Sequence, residues 1–102
     1  MYATIGTSKA ALESLVRHLA LEIGQSGINV NIVQAGLVQT DSFRLMPNPE
    51  QVLEKQRAKN LVGDRMLEPA DVADAVLYLS SPLSDMVQGQ TLVVDAGAAI
   101  TV

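Results

Sequence analysis

The sequence has no cysteine and no tryptophan, one histidine, and only three aromatic residues, Tyr2, Phe43 and Tyr78. Without cysteine there is no disulfide, no thiolate nucleophile and no Cys-ligated metal. His18 has no second histidine at metal-site spacing, so no metal centre is expected. Three aromatics leave little material for stacking nucleobases. Basic residues are also scarce: seven Lys and Arg stand against eleven Asp and Glu, for a net charge of −4. They form no stripe, which argues against nucleic acid as a partner. No apolar run approaches the ~18 residues that span a bilayer, and no signal-peptide pattern precedes Tyr2. The expectation is a cytoplasmic chain that avoids membranes. None of the seven glycines falls in a G-x-G-x-x-G pattern, so that phosphate-cradling loop is missing.

What is present is ordinary globular material. At 102 residues, 48% apolar and 18% charged, the chain suits one domain with one core. Leu12, Leu15, Val16, Leu19 and Ile23 recur at helical spacing, with Glu13 and Arg17 paired on another face. Gly24 fits the left-handed residue past a helix end. In INVNIVQAG, Ile28, Val30 and Ile32 alternate with Asn29 and Asn31, a strand pattern that Gly36 ends. LVQTDSFRLMPNP is irregular, and Thr40-Asp41 suits a turn or helix cap. Asn48, Pro49 and Gln51 then resemble a helix start with a capping-box variant. The helix they open has only Val52, Leu53 and Ala58 to bury, so little packing should hold it. A firmer helix follows in EPADVADAVLYLSSP, with Val72, Val76 and Leu79 on one face. GQTLVVDAG closes the sequence with Leu92, Val93 and Val94, as expected for a strand covered on both faces.

The order is helix, strand, helix, helix, strand, which suggests a parallel pair in an α/β sheet. Two strands make a poor sheet alone, so residues 1–102 read as one flank of a larger domain. Tyr2 and Lys9 lie seven residues apart, roughly two turns at about 100° per residue. If the helix reaches back to Tyr2, phenol and ammonium share a direction. A helix starting near Thr7 would leave Tyr2 on an incoming loop.

The stretches YATIGTSKAALESLVRHLALEIGQSGINVNIVQAGLVQTD and GDRMLEPADVADAVLYLSSPLSDMVQGQTLVVDAG resemble the C-terminal part of the short-chain dehydrogenase/reductase family. The similarity covers nearly the whole chain and is weakest over residues 42–61, the family's variable substrate loop. The resemblance implies the C-terminal, substrate-side portion of a single NAD(P)-binding Rossmann domain with a doubly wound parallel sheet. By the same resemblance, the N-terminal, cofactor-binding half of that domain would be absent from these residues, with Met1 an internal start or a truncation. Most of the family carries Tyr-x-x-x-Lys, which would need tyrosine where this chain has Ile5. The wider Tyr2–Lys9 spacing is similar to that of enoyl-acyl carrier protein reductases, above all the NADPH-dependent type III branch.

That resemblance implies NADPH-dependent reduction of trans-2-enoyl thioesters in fatty acid biosynthesis, with NADH as the other candidate cofactor. The substrate would be linked to acyl carrier protein or coenzyme A. Tyr2 would stabilise the enolate oxygen, and Lys9 would hold the nicotinamide ribose, where its plain alternative is a solvated helix lysine. Gly36 and the backbone of Val38 would lie against the cofactor, and the Thr40 hydroxyl would meet the pyrophosphate. Phe43, Leu45 and Met46 would line an acyl pocket, or pack on a core as ordinary loop residues. The family's Pro-Gly is Ala35-Gly36 here, and its Asp-Gly-Gly is Asp95-Ala96-Gly97. The complete enzyme would be a dimer or tetramer of identical chains. Two other readings stay open: a 3-oxoacyl or other carbonyl reductase, with Ile5 marking a divergent site, and a non-catalytic piece acting only in subunit association, the isolated chain being inactive.

Overall fold

The computed structural model describes residues 2–102, so expectations about Met1 lie outside the described residues. Its elements are α1 (Ala3–Ile23), β1 (Ile32–Ala35), α2 (Asp41–Arg44), α3 (Pro49–Lys59), α4 (Pro69–Leu79) and β2 (Thr91–Val94). Single 3-10 turns come after α1, after α4 and after β2. The two strands form one sheet. Ile32 N–H donates to Gln90 O and Gly36 N–H to Val94 O, both at 2.8 Å. Donor and acceptor numbers rise together, so the pair is parallel, as the alternating order of elements predicts.

The chain divides into two compact units, Met1–Val33 with Val76–Leu92, and Gln34–Ala75 with Val93–Val102. In the first, α1 runs for 21 residues, about 30 Å at 1.5 Å per residue. Its alanines and leucines favour helix. Thr7 and Ser8 point their hydroxyls back to Ala3 O and Ile5 O, both at 2.8 Å, so neither competes for a free backbone group. Val16 is the one buried apolar side chain of α1.

Gly24 does not take the left-handed conformation expected of it: its φ is −57°. The chain tightens into a 3-10 turn first, and Gly27 makes the left-handed step at φ +79°. A Cβ on Gly24 would stand 2.7 Å from Gln88 Nε2.

The strand is shorter than the alternation of Ile28 to Ile32 suggests. Residues 28–31 are paired mainly by side-chain amides, beside one backbone bond from Gly89 N–H to Val30 O at 2.9 Å. Val30 N–H donates to Gln88 Oε1 at 2.6 Å, and Gln88 Nε2 donates to Ile28 O at 2.8 Å. Asn31 Nδ2 donates to Val87 O at 2.8 Å while its Oδ1 accepts from Gln90 N–H at 2.9 Å. Asn29 Nδ2 reaches Asp85 O at 2.9 Å. These amides supply partners to backbone groups on either side of the seam.

In the second unit, the irregular stretch contains the short helix α2, where Thr40-Asp41 suits a cap. Thr40 caps it, with Oγ1 accepting from Phe43 N–H at 3.3 Å. Phe43 is 5% exposed. Asn48 does precede α3, but at φ +51° and with no side-chain capping bond, so the expected capping box does not form. No residue of α3 is buried, in line with its few apolar positions. At the start of α4, the Asp71 carboxylate accepts from Glu68 N–H at 2.8 Å and from two Arg65 nitrogens at 2.7 and 2.9 Å.

β2 is not covered on both faces by this chain. Its residues alternate between exposed and half-buried. At its end the Asp95 carboxylate accepts from Gly97 N–H at 2.9 Å and Ala99 N–H at 2.8 Å. A Cβ on Gly36 would stand 2.9 Å from both Asp95 Cα and Asp95 Cβ. Backbone cannot yield there as a flexible side chain can.

Gly36→Ala should therefore destabilise the chain by about 1–3 kcal/mol, the usual range for overpacking. A urea midpoint unchanged from wild type would contradict this close approach. Arg65 and Glu68 N–H together hold the Asp71 carboxyl down to about 2, the Arg65 hydrogen bond contributing most. A depressed carboxyl stabilises the fold above its unfolded value and loses that effect as pH falls through the folded value. The urea-midpoint difference between wild type and Asp71→Asn should thus be full above about pH 5 and shrink towards pH 2. A difference constant across that range would show that the carboxylate charge is not what matters.

Candidate functional site

The first unit carries the Tyr2–Lys9 pair. Tyr2 is the N-cap residue of α1, and its carbonyl accepts from Gly6 N–H at 2.9 Å. The helix therefore reaches back to the tyrosine and does not begin near Thr7. The ring lies along the first turn, since a Cβ on Gly6 would stand 3.8 Å from Tyr2 Cδ1. Lys9 comes seven positions later in the same unbroken helix, so both residues leave the axis in nearly the same direction. Tyr2 is 71% exposed, and Lys9 is exposed and in no ion pair among the described residues. Phenol and ammonium are both available to a ligand.

The second unit carries the remaining predicted residues, on the segment leaving β1. Gly36 ends the strand against Asp95, so its lack of a side chain is explained within this chain. Val38 is half-buried, and among the described residues its backbone N–H and C=O take no internal partner. A peptide group with no internal partner suits a ligand that presents both donor and acceptor, as a carboxamide does. Thr40 Oγ1 accepts from Phe43 N–H, which leaves its hydroxyl proton free to donate. The cap and the ligand role are compatible. Phe43 packs inside the unit, whereas Leu45 and Met46 are exposed. Beside this segment a groove of about 290 Å³ is walled by Gln39, Glu50, Leu53, Glu54, Arg57 and Met66.

Two further features of this unit lie outside the predicted site residues. One is the Arg65–Asp71 clamp. Its signal was available: Asp71 stands three residues after Glu68, the spacing at which an acidic side chain reaches back to an N-cap amide. The other is Ala96, which holds φ +55°. It stands where the resembling family has glycine and takes a backbone conformation that glycine would take freely. Its carbonyl accepts from Leu61 N–H at 2.8 Å.

Among the described residues no three His, Cys, Asp or Glu side chains are placed to hold a metal ion. No helix among them is long and apolar enough to cross a membrane.

The family model described as Enoyl-(Acyl carrier protein) reductase matches residues 1–99. Enoyl-[acyl-carrier-protein] reductase [NADH] 2 of Rhizobium meliloti is 39% identical over 100 residues, covering 98% of this chain and 37% of the relative. The 7alpha-hydroxysteroid dehydrogenase of Escherichia coli K12 is 36% identical over 91 residues, covering 89% of this chain and 35% of the relative. In three dimensions, the Bacillus cereus enoyl-acyl carrier protein reductase with NADP+ and indole naphthyridinone superposes with a TM-score of 0.91 at 32% identity. That match covers 99% of this chain and 39% of the solved one. The chain thus spans little more than a third of the length of the curated relatives it matches. Its mixed α/β fold with a small parallel sheet corresponds to part of a Rossmann-like domain. With the family model matched over 99 of its residues and oxidoreductases among its relatives, the chain belongs to the enoyl-acyl carrier protein reductase/short-chain dehydrogenase/reductase family.

Proposed function

We propose that the protein is an NADPH-dependent reductase of trans-2-enoyl thioesters carried on acyl carrier protein or coenzyme A, serving fatty acid biosynthesis in the cytoplasm. Residues 1–102 would be the substrate-side part of one Rossmann domain in a dimeric or tetrameric enzyme, and inactive in isolation. The observation that carries this reading is the Tyr2–Lys9 spacing on one uninterrupted helix face, with isoleucine where the family's commoner tyrosine would stand.

The nicotinamide, when bound, supplies the hydride that the β-carbon of the enoyl thioester accepts. Negative charge then develops on the thioester oxygen, and the Tyr2 hydroxyl donates a hydrogen bond to it. Such a donor acts at the position where charge appears, which is how an oxyanion site lowers a barrier. An enolate oxygen lies farther from the hydride-accepting carbon than a ketone oxygen does, which accounts for a tyrosine displaced from the usual spacing. The Lys9 ammonium would bind the ribose hydroxyls of the cofactor. Val38 offers its free peptide group to the carboxamide, and Thr40 offers its hydroxyl proton to the pyrophosphate. Leu45 and Met46 supply exposed apolar surface for the acyl chain, on a segment rooted by Phe43.

NADH is the alternative cofactor, because the Rhizobium relative is named for it. A carbonyl reductase is the alternative activity, favoured by the Escherichia coli relative, which is named as a hydroxysteroid dehydrogenase.

In the longest natural form of the protein that contains these residues, Tyr2→Phe should lower kcat for crotonyl thioester reduction about 10²–10³-fold, the usual effect of losing one oxyanion donor. NADPH affinity should hold. The unmutated protein should reduce enoyl thioesters in preference to 3-oxoacyl thioesters. Preference for the 3-oxoacyl substrate would establish the carbonyl reductase, and full turnover without the phenol would remove Tyr2 from the reaction.

A further inference from the structure

A helix that packs on its neighbours usually turns an apolar face to them. In α3 the face that borders a groove is charged. Glu50, Leu53, Glu54 and Arg57 stand at i, i+3, i+4 and i+7, so they share one side of the helix. They line a groove of about 290 Å³ that Gln39 and Met66 complete, every one of these residues belonging to the second unit. Glu50, Glu54 and Arg57 are in no ion pair among the described residues. The groove therefore offers two carboxylates, one guanidinium and one amide, with Leu53 and Met66 as its apolar wall.

Size and charge decide what fits. A cavity of about 150 Å³ takes a benzene ring, so this groove takes roughly twice that, a chain segment of about a dozen heavy atoms. Its two carboxylates outweigh its one guanidinium, which disfavours a phosphate. An unbranched acyl chain would strip water from these polar side chains and return no hydrogen bond. Leu45 and Met46 already give such a chain exposed apolar surface. What remains of a carrier-bound thioester is its pantetheine arm, which is uncharged and carries amides separated by methylenes. An amide N–H donates to a carboxylate and an amide carbonyl accepts from a guanidinium, both charge-assisted bonds. The methylenes suit Leu53 and Met66. Gln39 directly follows Val38, so the groove starts beside the residue proposed to meet the nicotinamide.

We propose that the groove bordered by α3 and Gln39 binds the pantetheine arm of the substrate, Glu54 accepting from an amide N–H and Arg57 donating to an amide carbonyl. The assignment rests on the proposed function, since only a carrier-bound thioester has this arm. It makes α3 a contact for the carrier, distinct from the apolar surface that meets the acyl chain.

The test compares crotonyl pantetheine with S-ethyl crotonothioate, which share the reacting group and differ in the arm. In the longest natural form of the protein that contains these residues, kcat/KM should be higher for the pantetheine thioester. Arg57→Met and Glu54→Gln should each reduce that advantage about tenfold, the effect of one lost hydrogen bond to a charged group. Crotonyl-coenzyme A and crotonyl-acyl carrier protein should lose the same factor, and the better of the two in the unmutated protein identifies the carrier. If the variants leave the ratio of pantetheine to S-ethyl thioester unchanged, the groove does not hold the arm, while the enoyl reductase reading stands. If the unmutated protein reduces neither thioester, the proposed reaction fails and this assignment fails with it.

Discussion

The second unit depends on one close approach. Gly36 and Asp95 come so near that no Cβ fits between them, and that contact sets the course of the chain beyond each residue. On one side the chain leaves Gly36 into the Val38–Thr40 segment with its backbone direction fixed. On the other, the Asp95 carboxylate gathers Gly97 N–H and Ala99 N–H into a tight turn. That turn presents Ala96 O to Leu61. The segment with ligand-binding potential and the anchorage of α3 therefore share a single steric origin. Strand ends suit such a role, because a parallel ladder stops there and leaves peptide groups for other partners.

Much of this was legible in the sequence wherever one residue type has one physical meaning. The period of Leu12 to Ile23 defines α1, the proline at 69 marks the start of α4, and the apolar core of β2 marks a strand. Parallel pairing was implied by strands separated by helices. What could not be read were contacts between residues distant in sequence. Gly24 looks like a helix stop, but the left-handed step falls on Gly27, after a 3-10 turn. Asn29 and Asn31 look like the polar face of a strand, but their amides do the pairing themselves. Asn48 has the right type for a cap, and its left-handed backbone turns the side chain out of use. Each miss arises where a partner tens of residues away, or a backbone angle, overrides local preference.

The candidate residues divide along the same line. Tyr2 and Lys9 could be related through helical periodicity alone, and the unbroken α1 carries both. Thr40 combines a structural and a chemical capacity in one hydroxyl, since accepting a hydrogen bond at the cap leaves its proton free. The expected doubly covered β2 is not achieved within this chain, where Val93 stays 45% exposed. That fits a chain matching 39% of its solved relative. Family membership here rests on agreement between sequence and fold over nearly every residue, while the choice of reaction rests on the position of one phenol.

The amide seam of the first unit has a chemical consequence of its own. An asparagine side chain offers donor and acceptor together, and Asn31 uses both, towards Val87 O and Gln90 N–H. Hydrolysis of that amide, the slow ageing reaction of asparagine, would leave a carboxylate with no proton to donate. Two oxygens would then face each other where a bond had been, and the damage would fall on the approach to β1. A seam stitched by side chains is thus open to spontaneous decay in a way that a peptide ladder is not.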